Sequence, residues 1–247
     1  MPRVALVTGG GHGMGRQHCL TLAARGLRVG VNDVDAEAAA ETAAAVRGSG
    51  GEALAVPADV ADRAEVEHAV AQLVEAWGGM DVAVSNAGTI HSGTGLLDTD
   101  DDDWNRTLGV HVGGCLNVSR ACMPWLLQRS SPRLIIIGSL WGQRGDGHSY
   151  AYAAAKGAVA AFARNLAVEF GHAGLCVNVV APGSVPTRMA ADYSEADIAE
   201  DCLRIPLGRW GTTQEISAVV AFLASEEASY ITGQMIAVNG GQVLTGS

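Results

Sequence analysis

The chain has 247 residues, 48% of them hydrophobic, with a mean hydropathy of +0.18, enough to bury a sizeable core within one large α/β domain. A net charge of −10 with no basic stripe argues against a nucleic-acid surface, which needs clustered Lys and Arg. The five cysteines are odd in number and form no C-x-x-C pair, which fits reduced thiols rather than a disulfide frame or zinc site; with no apolar run of 18 residues and Met-Pro-Arg leading straight into a strand-like run, a soluble cytoplasmic protein without signal peptide is expected.

Val4–Thr8 has the pattern of a short buried strand, and Gly9-Gly-Gly-His-Gly-Met-Gly15 follows at once. Apolar residues then recur at helical spacing (Cys19, Leu20, Leu22, Ala23) until Gly26. Strand, glycine loop, helix is the arrangement in which backbone N–H groups at a helix N-terminus receive a pyrophosphate, although tight turns use the same residues. The next strand, Arg28–Asn32, ends at Asp33, 18 residues past Gly15. An acid there can accept both ribose hydroxyls and repel a 2′-phosphate, and neither His12 nor Val34 supplies a strong cation, so NAD is favoured over NADP. The competing reading is an aspartate capping the helix that begins near Asp35, which Asp35 could do equally well.

Residues 36 to 47 are helical by propensity; Ala53–Val56 is a strand leading to Asp59-Val60, and a third helix covers about Arg63–Trp77. Asp81–Ser85 is the fourth strand, followed by Asn86-Ala87-Gly88, small enough for a flat ring to approach the backbone, while Asp59 could accept from an adenine amino group. Strands alternating with long helices mean βαβ units and a parallel sheet, and no linker divides residues 1–247, so a single domain is expected. The acidic run Thr99–Asp103 lacks the ligand spacing and glycine of a calcium loop and reads as a charged helix N-terminus. A long helix from about Asp102 to Gln128 carries His111 near its middle.

The apolar run Leu134–Gly138 reads as a strand ending at Ser139, where ligands bind in open α/β sheets. Tyr152 and Lys156 follow four residues apart, on one face of a helix reaching about His172. Together the three supply a hydroxyl donor, a proton-transfer group and a cation that would lower the phenol's pKa; alone, Y-x-x-x-K also fits an interfacial tyrosine with a snorkelling lysine. This helix is small and apolar nearly all round, which suggests burial against its own sheet and a second subunit. Leu175–Val180 is a sixth strand, residues 188 to 206 suggest a lid, and a helix (Thr213–Ala224) and strand (Met235–Val238) complete the sheet. Candidate substrate contacts are Ser92, Leu96, Leu140, Trp141, Arg144, His148, Met189 and Tyr193, with Arg144 read as solvated.

In order and spacing these stretches resemble the short-chain dehydrogenase/reductase family over almost the whole chain. Thr8-Gly9-x-x-x-Gly13-x-Gly15 looks like its cofactor loop, with His12 and Met14 inside it, and Asp33 like its NAD-selecting acid. Asp59-Val60 resembles its adenine-contacting pair, and Asn86-Ala87-Gly88 its N-A-G motif. Ser139, Tyr152 and Lys156 match its catalytic trio, Tyr150 being a decoy with no lysine four residues on. Pro182, Gly183, Val185 and Thr187 look like the segment that holds the nicotinamide, and Pro206–Gly211 with Ile231–Gly233 and Asn239–Gly241 like its C-terminal signature.

The resemblance implies a doubly wound Rossmann fold with a substrate loop at about 184–206, commonly a homotetramer. It also implies an NAD-dependent oxidoreductase that moves a hydride between the cofactor and a secondary alcohol or the matching ketone, without a metal. Tyr152 would be the acid/base, Ser139 would hold the substrate oxygen, and Lys156 would bind the nicotinamide ribose. One departure stands out: the family usually has an asparagine where this chain has His111, which as neutral imidazole could hold a relay water or, with an ordinary pKa of about 6.5, carry protons itself. The alternatives are an NADPH-dependent 3-oxoacyl-thioester reductase and a non-catalytic NAD-binding sensor.

Overall fold

The computed structural model describes residues 2–89, 95–145, 148–188 and 193–244. Seven parallel strands form one sheet: β1 (Val4–Val7), β2 (Arg28–Val31), β3 (Ala53–Ala55), β4 (Val82–Ser85), β5 (Arg133–Ile137), β6 (Cys176–Pro182) and β7 (Met235–Val238). Their order across the sheet is β3-β2-β1-β4-β5-β6-β7. The direction of winding reverses between β1 and β4, which opens a crevice at their carboxyl ends where ligands bind in such sheets. The sheet is parallel, as the alternating pattern implies, and doubly wound, as the family resemblance implies.

Helices cover both faces, so successive apolar strand residues are buried on both sides rather than on alternate positions only. In β1, Val4 and Leu6 enter one core while Ala5 and Val7 enter the other. In β5, Leu134 and Ile136 divide from Ile135 and Ile137 in the same way. The first core lies under α3 (Arg63–Trp77), α5 (Gly114–Leu126) and α6 (Tyr150–Phe170). The second lies under α1 (Gly13–Ala24), α2 (Ala36–Gly48) and α8 (Thr213–Ala224). No described helix is long and apolar enough to cross a membrane.

Local chemistry sets the ends of several helices. Asp35 caps α2 by accepting from the Ala38 N–H, which releases Asp33 from that duty. Asp100 caps α4 (Asp101–Leu108), placing Asp101, Asp102 and Asp103 in its first turn, where the helix dipole favours negative charge. Thr212 and Glu215 form a reciprocal capping box on α8, as Ser194 and Asp197 do on α7 (Glu195–Leu203). The long helix expected over 102–128 is three pieces: α4, a π-helical turn over Gly109–Gly113, and α5. His111 is the central residue of that turn.

α6 buries Ala155, Val159, Ala160, Ala163 and Leu166 against the sheet, while Ala154, Ala158, Ala161 and Val168 are exposed on its other side. Four of the five cysteines are buried, and burial pushes the Cys115 thiol up to about 11 and that of Cys122 to about 12. These thiols are inert packing groups at neutral pH.

Candidate active site

The loops after β1 and β4 are laced together by two side chains. The Thr8 hydroxyl accepts from the N–H groups of Asn86 and Ala87, both at 3.0 Å, and the Asn86 amide donates to the carbonyls of Thr8 (2.8 Å) and Gly9 (3.2 Å). Gly9 has a positive φ of 61°, and a Cβ there would lie 2.9 Å from Ala87 Cα. A Cβ at Gly15 would lie 1.9 Å from the Gly9 carbonyl oxygen. The glycines at 9 and 15 are therefore required by the close approach of backbone to backbone.

Above them opens a cavity of about 510 Å³ lined by residues from the glycine loop (Gly9, His12, Gly13, Met14, Gly15), by Asp33, Asp59 and Val60, and by Asn86, Ala87 and Gly88. α1 starts at its edge with no side-chain cap and no acid in its first turn, leaving backbone N–H groups for an anion. The Asp33 carboxylate is fixed at the rim by the N–H groups of Gly11 (2.9 Å) and Asp35 (3.1 Å). His12 Nε2 lies 3.5 Å from Asp35. Asp59 accepts from the Ala61 N–H, which holds that loop. Arg188, which the sequence reading did not anticipate, also reaches this cavity beside Thr187.

Thr187, Met14, Asn86 and Gly88 are shared with a second cavity of about 360 Å³, so the two adjoin. Ser139, Tyr152, Lys156 and His111 all line the second one, together with Pro182, Gly183 and Val185. β5 delivers Ser139, whose hydroxyl caps the short 3-10 turn Leu140–Gly142 by accepting from the Trp141 N–H. That turn rests on α6 at a glycine: a Cβ on Gly142 would come 2.7 Å from the Lys156 carbonyl carbon. The absence of a side chain at Gly142 thus lets the turn pack against α6, and the Ser139 hydroxyl acts on the phenol of Tyr152.

Lys156 is 5% exposed, and its Nζ donates to the Ile137 carbonyl at 2.7 Å, tying α6 to the end of β5. Its Nζ stands 5.4 Å from the Tyr152 ring centre. Burial holds the lysine at about 8. Tyr152 departs from the sequence expectation: burial pushes its phenol above the ordinary value of 10, and the Ser139 hydrogen bond is what pulls the other way. Within the chain alone, then, burial of the phenol outweighs what its neighbours do to bring it toward neutrality.

His111 lies edge-on to Tyr152, ring centres 5.3 Å apart. Its Nε2 is 2.5 Å from the Thr89 carbonyl and 3.1 Å from the Thr89 N–H, and one nitrogen serves one of the two. The shorter contact assigns Nε2–H as donor to the carbonyl and leaves Nδ1 as an acceptor. Burial, then the Lys156 charge, pushes the imidazole down to about 3, so it stays neutral near pH 7. In that neutral state the ring keeps one donor and one acceptor nitrogen. Gly88 makes room for the ring, since a Cβ there would lie 2.4 Å from His111 Cε1.

Of the expected substrate contacts, Trp141, His148 and Tyr193 line the second cavity, while Ser92 and Met189 fall outside the described residues. Leu140 is buried beneath it and Leu96 is exposed, and neither lines it. Arg144 is exposed, as expected, and its guanidinium also stacks 5.0 Å over the Trp141 ring and donates to the Gln242 carbonyl. More of the lining comes from the segment of about 184–206 expected to face substrate, although the sequence reading did not single out these residues of it. There α7 contributes Asp197, Glu200 and Asp201, met by Ser184 and Trp210. No motif or spacing marks these individual residues, because Asp201 is met by Ser184, Trp210 and Gln242, which lie 17, 9 and 41 residues away. Among the described residues no group of His, Cys, Asp and Glu is arranged to hold a metal.

Comparison with known proteins agrees with this geometry. A family model described as enoyl-(acyl carrier protein) reductase matches residues 9–242. The 3-oxoacyl-[acyl-carrier-protein] reductase FabG of Escherichia coli (strain K12) is 37% identical over 242 residues, 98% of each chain. The short-chain reductase protein NovJ of Streptomyces niveus is 38% identical over 246 residues, 97% of this chain and 93% of its own. Levodione reductase, in its crystal structure, matches with a TM-score of 0.94 at 32% identity, over 97% of each chain. With its parallel sheet, glycine loop and serine–tyrosine–lysine cluster, the chain belongs to the short-chain dehydrogenase/reductase family, oxidoreductases that act on CH–OH and ketone groups.

Proposed function

We propose that the protein is an NAD-dependent oxidoreductase of secondary alcohols and the matching ketones, with Tyr152 as acid/base. The observation that carries this is that two cavities adjoin through shared walls, one lined by Asp33 and the other by Ser139, Tyr152 and Lys156. A dinucleotide fits the residues present: uncapped N–H groups at α1, a backbone cradle where Cβ atoms would clash, and a carboxylate already oriented at the rim. Gly9, His12, Gly13, Met14 and Gly15 would face its pyrophosphate, Asp33 its adenosine ribose, Asp59 and Val60 its adenine. Asn86, Ala87 and Gly88 would border its middle, and Pro182, Gly183, Val185 and Thr187 its nicotinamide. When bound, the cofactor supplies the hydride acceptor or donor and a positive charge in its oxidised form.

The chain's own residues do the rest. Ser139 donates to the substrate oxygen while its neighbour Tyr152 takes or returns the hydroxyl proton. Lys156, fixed by the Ile137 carbonyl, orients the nicotinamide ribose and adds cationic character behind the phenol. His111, neutral and anchored on Thr89, offers Nδ1 to a water behind Lys156. The chain acts as one domain, with residues of about 184–206 as the substrate-facing insertion and the exposed small face of α6 in a homotetramer.

NADH and NADPH formation over a panel of secondary alcohols tests the reading. NAD should be preferred, Asp33→Ala should erode that preference, and Tyr152→Phe should abolish turnover while keeping NADH affinity within a few-fold. A native preference for NADP, or substantial activity in the Tyr152 variant, would sink it. A second reading, NADPH-dependent reduction of 3-oxoacyl thioesters, draws on the printed activity of the Escherichia coli relative and on Arg188 at the cofactor cavity. NADPH oxidation with a 3-oxoacyl thioester exceeding every alcohol reaction would establish it instead.

A further inference from the structure

The wall facing Ser139 and Tyr152 carries a feature that the proton-transfer chemistry does not use. Asp201, on α7, accepts three hydrogen bonds at the cavity edge: from the Ser184 hydroxyl (2.6 Å) and the Trp210 indole N–H (2.8 Å) on Oδ2, and from the Gln242 amide (3.2 Å) on Oδ1. Gln242 in turn accepts from the Ser184 N–H at 3.1 Å. Every donor to Asp201 is neutral, and among the described residues no lysine or arginine pairs with it. The other charges on α7 are engaged elsewhere. Asp197 turns back on Ser194 in its capping box, and Glu200 is paired with Arg204 at 2.5 Å.

A carboxylate has about four acceptor sites, and three of those on Asp201 are filled. The unfilled one is on Oδ1. The tether gives the group a fixed position, because Ser184, Trp210 and Gln242 come from three separate segments and hold it jointly. A fixed carboxylate with no ion-pair partner among the described residues attracts cations and hydroxyl donors and repels anions at its own end of the cavity, although Lys156 and Arg204 also line that cavity.

Building on the oxidoreductase reading, we propose that Asp201 determines substrate charge: the enzyme takes alcohols or ketones that carry a hydroxyl or ammonium group near the reacting carbon, and it discriminates against hydroxy acids and keto acids. The residue selects substrate and takes no part in proton transfer.

The test uses three alcohols alike in their reacting half and different in charge: 4-amino-2-butanol (cation), 1,3-butanediol (neutral) and 3-hydroxybutyrate (anion). At pH 7.5 with saturating NAD, kcat/KM should be at least tenfold higher for the cation and the diol than for the anion, about 1.4 kcal/mol of discrimination. Asp201→Asn should compress the cation-to-anion ratio tenfold or more. Trp210→Phe, which loosens the tether but keeps the charge, should leave the order intact, so a merely structural effect is recognised by both variants behaving alike. Quenching of indole fluorescence by the same three compounds reports binding independently of turnover. An anion accepted as well as the diol, or a ratio that Asp201→Asn does not change, overturns the proposal. Charge-ordered quenching without NADH formation from any alcohol would instead uphold Asp201 and count against the oxidoreductase reading.

Discussion

Replacing Lys156 with methionine should abolish turnover and yet stabilise the fold at neutral pH. Burial lowers the lysine from 10.5 to about 8, which corresponds to roughly 3 kcal/mol of unfavourable free energy for its charged form in the native state. Methionine keeps the bulk and removes that cost, but it leaves the Ile137 carbonyl without its 2.7 Å donor, a loss of about 1 to 2 kcal/mol. The net gain at pH 7 is about 1 to 2 kcal/mol, or a rise in Tm of about 2 to 8 °C for a chain of this length. The pH dependence is the sharper signature. Below pH 8 the lysine is charged in both states and the native protein bears the whole cost. Between pH 8 and 10.5 the native state releases the proton while the unfolded chain holds it, so wild-type stability rises relative to the variant. The order should therefore reverse by about pH 10. Urea unfolding of both proteins at one fixed concentration, from pH 7 to pH 10.5, reads the difference directly. A variant less stable than wild type at pH 7, or a difference that does not vary with pH, would refute the reasoning.

Three further outcomes follow from the site's geometry. His111→Asn should retain most turnover with a slow substrate showing a deuterium isotope effect, whereas His111→Leu should lose tenfold or more; equal rates for both would remove His111 from the mechanism. Since His18 and His111 are both held neutral at about 3, the unfolded chain takes up protons that the native state refuses. Stability should fall as pH drops below 6.5, by about 2 kcal/mol per histidine at pH 5, and flat urea midpoints between pH 7 and 5 would contradict this. Gly142→Ala should cost about 1 to 3 kcal/mol and lower kcat more than it weakens NADH binding, because its Cβ meets the backbone of Lys156; unchanged kcat would show that the turn adjusts freely.

The parallel sheet was legible because its signals are local. Apolar runs of four or five residues, each ended by glycine or a polar turn, appear in the sequence as they do in β1, β4 and β5. Tyr152 and Lys156 were legible for the same reason, a spacing of four within one helix, and Ser139 because a strand visibly ends there. What escaped was assembled over distance. Asp201 meets its partners from 17, 9 and 41 residues away, and no pattern in a single stretch encodes such a meeting. Arg144 stacks on Trp141, three residues earlier, only because the turn at Leu140–Gly142 folds the chain back. The direction of the Tyr152 shift also needed the structure, since sequence spacing reveals a neighbouring charge but not how deeply the phenol itself is buried.

The π-helical turn at Gly109–Gly113 bears on how this chain tolerates change in length. Such a turn holds one more residue than an α-helical one, so it rotates everything on one side of it by about 100° relative to an unbroken helix. Removing a single residue there would restore a regular helix, and one half would have to swing out of place. Either Cys115, Val118 and Cys122 would leave the core, or Thr107 and the acidic first turn of α4 would be displaced. Substitutions at these five positions are a matter of side-chain fit, whereas a deletion among them is a change of phase for the whole helix. The segment around His111 is accordingly a place where homologous helices are best aligned by structure, because a one-residue gap in a sequence alignment would be read as noise when it marks the bulge itself.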